Sequence, residues 1–340
     1  MKMNISDKYQ LIRQLTFKRT FNLLKLYFSF LWARITKNGK ISGYPMAISI
    51  EPTTACNLQC PECPSGLKSF TRTTGNLSQE LHSKIIDEIK DSVWYINYYF
   101  QGEPFINPHF LSFIKYANSK GIYCSTSTNA HFLNSEKAKE TVESGLHRLI
   151  ISIDGTTQDT YEKYRKNGSL SKVIEGTNNI LKWKKDLKSK TPHVIFQYLV
   201  VNHNEHQLKD AINLSRELGV DEIRFKTAQV YDYKHGNALL PKNDNYSRYR
   251  KQKDGTYKIK NKLYNQCWRM WSSNVITVDG KLVPCCFDKD AIHQIGDLKT
   301  NSFKSIWKSK AYQSFRKNIL SNRKEIKICK NCTEGTKVWT

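Results

Sequence analysis

The chain reads as α/β: a parallel sheet of six strand–helix units, followed by a small and differently patterned C-terminal region. Three observations predict this. Between residues 46 and 228, short strand-like runs alternate with stretches of helical period. Polar motifs sit where four consecutive strands end. Beyond a polar segment rich in Tyr and Lys, the pattern changes to a hairpin signal and a terminal C-x2-C. Regular alternation implies parallel strands joined by right-handed crossovers, and six units can form part of an eight-unit barrel.

The 340 residues are enough for one large domain and a small one. Hydrophobic content of 39% with 12% aromatics excludes a disordered chain. The 54 Lys and Arg against 30 Asp and Glu give a net charge of +24, which favours an anionic partner: a phosphorylated or nucleotide-linked substrate, nucleic acid or an anionic membrane surface. Nine cysteines, an odd number in tight clusters, do not form a secreted disulfide framework and point to metal or to chemistry. The first forty residues carry nine basic side chains and no cleavage signature, and no apolar run is long enough to span a bilayer, so a cytoplasmic location is expected.

Residues 1–45 form the first segment, with one long helix expected over 8–36. Phe17, Phe21, Leu24, Phe28, Leu31 and Ile35 fall on one face, interrupted by Lys18, Arg19, Lys25 and Arg34. The simpler reading is a lead-in helix packed on the domain. The alternative is peripheral membrane contact through this basic amphipathic stretch, which also contains Trp32. Gly39 and Gly43-Tyr44-Pro45 end it.

The core domain is expected over 46–228. Strands are expected at Ala47–Glu51, Trp94–Phe100, Ile122–Thr128, Arg148–Ile153, His193–Val201 and Glu222–Thr227. Helices are expected at 78–91, 107–119, 134–145, 158–185 and 205–218, with cap signals at Ser78 and Asn134 and glycines at 145 and 219 just past two helix ends. Residues 229–262 read as a linker or mobile cover over the site, and 263–340 as the C-terminal domain.

The first strand runs into Cys56-Asn57-Leu58-Gln59-Cys60-Pro61-Glu62-Cys63, a C-x3-C-x2-C loop. Iron–sulfur clusters usually take four thiolates, so three in one loop suggest a 4Fe–4S cluster with one iron open to a ligand that is not protein. A zinc site one ligand short, or unrelated free thiols, are the plainer alternatives. Gly102-Glu103-Pro104 follows the second strand, Ser127-Thr128-Asn129 ends the third, and Ser152-Ile153-Asp154-Gly155 ends the fourth. Each alone is an ordinary turn, cap or strand exit. In barrels, however, the chemistry collects at the C-terminal ends of strands, and these motifs stand in register with the cysteine loop.

With these motifs the chain resembles the radical S-adenosylmethionine (radical SAM) enzymes over about residues 46–335. The resemblance implies a partial (βα)6 TIM-like barrel whose cluster, on Cys56, Cys60 and Cys63, binds the amino and carboxyl groups of S-adenosylmethionine. Gly102, Glu103 and Pro104 match the segment that meets the methionine ammonium, where a carboxylate is apt. Ser152 and Asp154 match ribose or methionine contacts, Arg165 matches the arginine that pairs with the methionine carboxylate, and Thr128 and Asn129 line the same cleft. The family usually has an aromatic residue one step before the last cysteine. Here it is Glu62, read as solvent-facing, which leaves open how the adenine is shielded.

In the C-terminal region, Val275–Val278 and Lys281–Val283 flank Asp279-Gly280, a hairpin signal. With Cys267, Cys285-Cys286 and Cys329-Lys330-Asn331-Cys332, this resembles an auxiliary-cluster (SPASM) region in its shortened Twitch-like form, a hairpin plus a helix. A zinc ribbon on the same cysteines fits the spacing equally. The resemblance implies a second 4Fe–4S cluster on Cys267, Cys285, Cys329 and Cys332. The family's Gly-x4-Cys step selects Cys285, leaving Cys286 spare, and Cys124 reads as a buried core residue.

By resemblance, the cofactors are two 4Fe–4S clusters and S-adenosylmethionine, and an external reductant such as flavodoxin or ferredoxin supplies one electron. A 5′-deoxyadenosyl radical then takes a hydrogen atom from substrate, and the auxiliary cluster accepts an electron. The first reading is dehydrogenase-like oxidation of a sugar, cyclitol or similar metabolite. The alternative is peptide maturation, weakened because residues 1–45 are too short for a dedicated peptide-binding winged helix. A zinc-containing nucleic-acid-binding protein is the third reading, and nucleic acid is not the expected partner. Tyr198 and Lys226 are the candidates for a general base. Lys226 shares a strand face with Arg224 and is placed toward the barrel mouth.

Overall fold

A computed structural model describes residues 5–334. Six parallel strands, β1 (Ala47–Ile50), β2 (Tyr95–Asn97), β3 (Tyr123–Thr128), β4 (Arg148–Ser152), β5 (His193–Val200) and β6 (Glu222–Thr227), pair in sequence order, the partial barrel expected from the alternation. Burial on both faces explains why β4 is covered along its whole length.

The N-terminal segment is two helices, α1 (Ile5–Ile12) and α2 (Phe17–Thr36), where one was expected. Thr16 breaks them apart: its hydroxyl accepts a hydrogen bond from Arg19 N at 3.3 Å and caps α2. Asp7 of α1 is buried against Arg148 and Tyr123 at the base of the barrel.

A short helix, α3 (Pro64–Leu67), closes the cysteine loop. The crossover helices follow as α4 (Gln79–Ile89), α5 (Phe110–Ser119), α6 (Ser135–Glu143), α7 (Gln158–Tyr164), α8 (Leu170–Asp186) and α9 (Leu208–Leu218). The stretch expected as one helix over 158–185 is thus broken. Asn167 takes a positive φ of 64° and Ser169 caps α8, so the chain turns sharply just past Arg165.

The segment 229–262 is more than a linker. It carries a hairpin, β7 (Tyr249–Lys251) with β8 (Tyr257–Ile259). Val230, Leu240 and Tyr249 pack with Val201 and Ala228 in a small apolar cluster of their own. Tyr249 Oη also bonds Asn331 Oδ1 at 2.8 Å.

The C-terminal region consists of α10 (Arg269–Ser272), β9 (Ser273–Ile276), β10 (Lys281–Val283), β11 (Gly296–Asp297), α11 (Phe303–Trp307) and α12 (Lys310–Asn322). The hairpin forms across Asp279-Gly280, with Gly280 at φ 81°. Unexpectedly, β9 pairs parallel with β1, from Ala47 opposite Ser273 to Ile50 opposite Ile276. The hairpin and β11 therefore extend the barrel sheet beyond β1.

A buried ion pair fastens this junction. Glu51, fully enclosed at the end of β1, accepts from Arg72 Nη1 and Nη2 at 2.8 and 2.6 Å and from Val278 N at 3.1 Å. Arg72 Nε donates to Lys289 O at 2.9 Å. Removing one partner strands the other charge where water cannot reach it. Arg72→Met should therefore cost about 3–5 kcal/mol in chemical denaturation, and Glu51→Gln/Arg72→Met clearly less than the sum of its single changes.

Candidate functional site

The cysteine loop and its flanks are the hub of the C-terminal mouth of the barrel, bonded by the motifs that end the second and third strands and by the turn after α7. Glu103 N donates to Ala55 O at 2.8 Å, and Gly102 N to Ser65 Oγ at 2.8 Å. Asn129 Nδ2 donates to Asn57 Oδ1 at 2.8 Å, and Gln59 N to Lys166 O at 3.1 Å. Two glycines permit this closeness. A Cβ on Gly102, whose φ is +74°, would meet Thr53 O at 2.3 Å, and one on Gly66 would meet Cys60 N at 2.6 Å.

The result is a cleft of about 280 Å³. Cys56, Cys60 and Cys63 line it together with Gly102, Glu103, Thr128, Asn129, Ser152 and Arg165. These residues were singled out in the sequence from four separate strand ends and, for Arg165, from the end of α7, and the fold brings them to one place.

Glu103 is buried, and its carboxylate accepts from Thr128 Oγ1 and Asn129 N, both at 2.7 Å. Burial nonetheless pushes its pKa up to about 7, with these hydrogen bonds and the Arg165 charge pulling the other way. Such a carboxyl is short of positive charge.

Two expected contacts are placed differently. Asp154 is fully buried and does not line the cleft. Its Oδ2 accepts from Arg165 Nε at 2.5 Å and its Oδ1 from Leu199 N at 2.7 Å, so it holds the arginine from behind. Pro104 opens a buried 3₁₀ turn, Pro104–Ile106, and likewise does not line the cleft.

The proposed bases also require correction. Tyr198 is fully buried on the outer face of β5 with Val200 and Ala211, and its hydroxyl donates to Asn204 O at 3.0 Å. Lys226 pairs with Leu199, whose side chain packs toward the cysteine loop. It therefore stands on the inner face of β6, but it is exposed and lines no cleft beside the cysteines. Arg224 is engaged by Glu222 at 2.8 Å.

Sequence reasoning missed several cleft residues. Glu62, expected to face solvent, lines the mouth and accepts from Tyr231 N at 3.1 Å, holding the 229–262 segment over the site. Gln101, Tyr164 and Lys289 also line the cleft, beside Ser127 of the third strand-end motif. Position next to a motif could have pointed to Gln101 and Tyr164, whereas nothing local marks Lys289.

The donor set suits an iron–sulfur cluster. Leu58 N donates to Cys56 Sγ at 3.4 Å and Arg165 Nη1 to Cys60 Sγ at 3.7 Å, interactions that support negative charge on sulfur. Burial pushes the Cys56 thiol up to about 12, so a thiolate there needs a metal to sustain it. Among the described residues, no three Cys, His, Asp or Glu side chains converge on a single ion. A four-iron cluster does not require such convergence, because each cysteine binds a different iron.

The C-terminal cysteines gather around two arginines. Cys267, Cys329 and Cys332 are buried. Arg323, fully enclosed, donates to Cys332 Sγ at 3.4 Å and is also held by Gln266 O at 2.6 Å. Arg269 Nη1 donates to Cys286 Sγ at 3.5 Å. Its neighbour Cys286, together with burial, pushes the Cys285 thiol up, while Cys285 and the nearby Arg269 charge pull Cys286 down. Cys286, read as spare, thus sits within the group. Cys124 is a core residue, fully buried on β3.

A second cleft, of about 560 Å³, is lined by residues that adjoin both cysteine groups in the chain. Pro64 and Leu67 line one side, Ile328 and Asn331 the other, with Tyr231, Tyr233 and Phe287 between them. Lys289 lines both clefts.

Comparison with known proteins matches two stretches of the chain to family models. Residues 50–215 match the family described as the radical SAM superfamily, and residues 267–333 match an iron–sulfur cluster-binding domain, SPASM. A PqqA peptide cyclase of Bradyrhizobium diazoefficiens is 28% identical over 204 residues, 58% of this chain and 51% of that protein. The mycofactocin maturase MftC of Mycobacterium ulcerans is 30% identical over 176 residues, 52% and 45% of the two chains. The chain thus spans about half the length of these curated relatives. The crystal structure of Streptococcus suis SuiB bound to S-adenosylmethionine has a TM-score of 0.63 at 14% identity, covering 89% of this chain and 75% of that one, a likeness of fold.

Proposed function

Because the chain belongs to the radical SAM superfamily and carries a SPASM region, we propose that it modifies a peptide, binding it in the cleft lined by residues that adjoin both cysteine groups. The cofactors of this enzyme class are a 4Fe–4S cluster with S-adenosylmethionine and auxiliary iron–sulfur. When bound, these groups supply a hydrogen-abstracting radical and a route for one electron.

In this proposal Cys56, Cys60 and Cys63 hold the first cluster. Cys267, Cys285, Cys329 and Cys332 hold the auxiliary one, with Cys286 close enough to substitute for Cys285. Glu103 receives the methionine ammonium, and Arg165, held by Asp154, receives the methionine carboxylate. Ser152, Thr128 and Asn129 complete the walls. The observation that carries the cofactor part is the buried, cation-poor carboxyl of Glu103 lining one cleft with three thiols and a guanidinium.

The peptide reading, second in the sequence analysis, now stands ahead of metabolite oxidation. Its support is that the curated relatives above are a peptide cyclase and a maturase. The second cleft adds to it, since aromatic walls with Lys327 and Lys330 suit a chain carrying both apolar and acidic side chains. An external one-electron reductant is part of the proposal.

Substrate class can be tested on anaerobically reconstituted enzyme with dithionite. A mixed peptide library should raise 5′-deoxyadenosine formation about tenfold over the uncoupled rate and leave a peptide with altered mass. A pool of sugars and cyclitols should leave the rate unchanged. The reverse pattern would restore the metabolite reading.

The pH dependence follows from Glu103. Its carboxyl is raised, so below about 7 it is protonated and cannot pair with a cation. Affinity for S-adenosylmethionine should fall by up to about tenfold per pH unit below that value and level off above it. Glu103→Gln should bind weakly with no such slope, as read by equilibrium binding between pH 5.5 and 8.

A further inference from the structure

The apolar stripe read in the sequence as a packing surface faces away from the protein. Phe17 is 87% exposed, Phe28 63%, Trp32 67% and Ile35 76%, with Phe21 and Leu24 about half exposed between them. They recur along the 20 residues of α2, a length of about 30 Å. Phe21, Leu24, Phe28 and Trp32 border an open groove of about 580 Å³ that ends at Lys40 and Ile41.

The helix is not a loose end. Its other face is sealed: Leu26, Phe30 and Ala33 are buried, and the Phe30 ring lies 5.3 and 5.2 Å from Trp268 and Trp271. Arg19, buried near its start, donates to Lys90 O at 2.6 Å, Gln14 O at 2.7 Å and Lys120 O at 3.1 Å. Asn22 bonds both Tyr44 N and Tyr44 O at 2.8 Å. A rigidly mounted helix presenting five or six large apolar side chains to water is costly unless something covers them.

Charge identifies the cover. Residues 8–50 contain no Asp or Glu, while exposed Lys18, Lys25, Arg34, Lys37 and Lys40 flank the stripe. Asp91, 3.9 Å from Lys18 at one end, is the acidic side chain that pairs with this group. A second copy of the same face would bring cations against cations. An anionic lipid surface satisfies both features at once, taking the rings into the headgroup–acyl boundary and the cations to the phosphates. The helix lies on such a surface rather than crossing it, because its inner face belongs to the core and no described helix is long and apolar enough to span a membrane.

We propose that the outer face of α2 is a docking surface for anionic membranes, holding the enzyme at the bilayer. The test is co-sedimentation of the full chain with vesicles of phosphatidylglycerol and phosphatidylcholine in equal parts, against phosphatidylcholine alone. Wild type should bind the anionic vesicles at least tenfold more tightly than the neutral ones. Phe17→Gln/Phe28→Gln/Trp32→Gln should lose at least tenfold in that affinity while keeping the wild-type thermal transition, since all three sites are exposed. Lys18→Gln/Lys25→Gln/Lys37→Gln/Lys40→Gln should lose the preference for anionic lipid. Wild type remaining in the supernatant, equal binding by the aromatic variant, or no distinction between the two vesicle types would overturn the proposal. So would a wild-type dimer that the aromatic substitutions dissociate, which would make the face an interface between copies.

Discussion

Everything at the mouth of the barrel depends on one buried carboxylate. Glu51 stands where β1 becomes the cysteine loop, fully enclosed, and its two oxygens are taken by Arg72 from beyond that loop and by Val278 from the β9–β10 turn. A charge in that position tolerates no slack, because each missing partner leaves it desolvated. The constraint therefore fixes three segments together: the end of the first strand, the far side of the first cysteine group, and the hairpin leading to the second. Parallel pairing of β9 with β1 carries the same join into the sheet. Segments next to two cysteine groups that are distant in sequence, Pro64 and Leu67 beside the first and Ile328 and Asn331 beside the second, come to line one cleft.

The same economy recurs around the site. Asp154 is buried to hold Arg165, and Asn204 is buried to hold the backbone on either side of it, donating to Asp154 O and Leu199 O at 2.9 Å. These polar groups are fully partnered, as buried groups generally are. Glu103 is the contrast. It has good hydrogen bonds, yet its carboxyl stays raised, and that deficit supports a cationic ligand as its missing partner. Rigid, satisfied groups surround one that is poised for a ligand, the pattern of a preorganised site.

The barrel was legible because its signals are local. Strand runs and the glycines at 145 and 219 follow from period and backbone freedom alone, and both glycines take positive φ as helix ends require. Glu103 and the cysteines were found because they sit in motifs at strand ends, and Arg165, at the end of α7, because the resemblance pointed to it. What escaped is tertiary. Nothing in Ser273–Ile276 shows that it pairs with β1, and nothing in Asp154 distinguishes a ligand contact from a brace behind Arg165. Tyr198 was chosen as a polar group on a strand near the site, but alternation turns it outward under α9. The α2 stripe was the most instructive case. Its period correctly marked one face, yet period cannot say which of two apolar faces meets the core, and Leu26, Phe30 and Ala33 took that place.

The central claim is that the chain holds two iron–sulfur sites and that the first of them binds S-adenosylmethionine. Iron and sulfide analysis with electron paramagnetic resonance on anaerobically purified protein tests it most directly, wild type beside a Cys56→Ala/Cys60→Ala/Cys63→Ala variant. Two four-iron clusters predict about eight irons per chain, falling to about four in the variant, and S-adenosylmethionine should change the reduced wild-type spectrum but not that of the variant. Zinc in place of iron, or a wild-type spectrum indifferent to S-adenosylmethionine, would contradict the account.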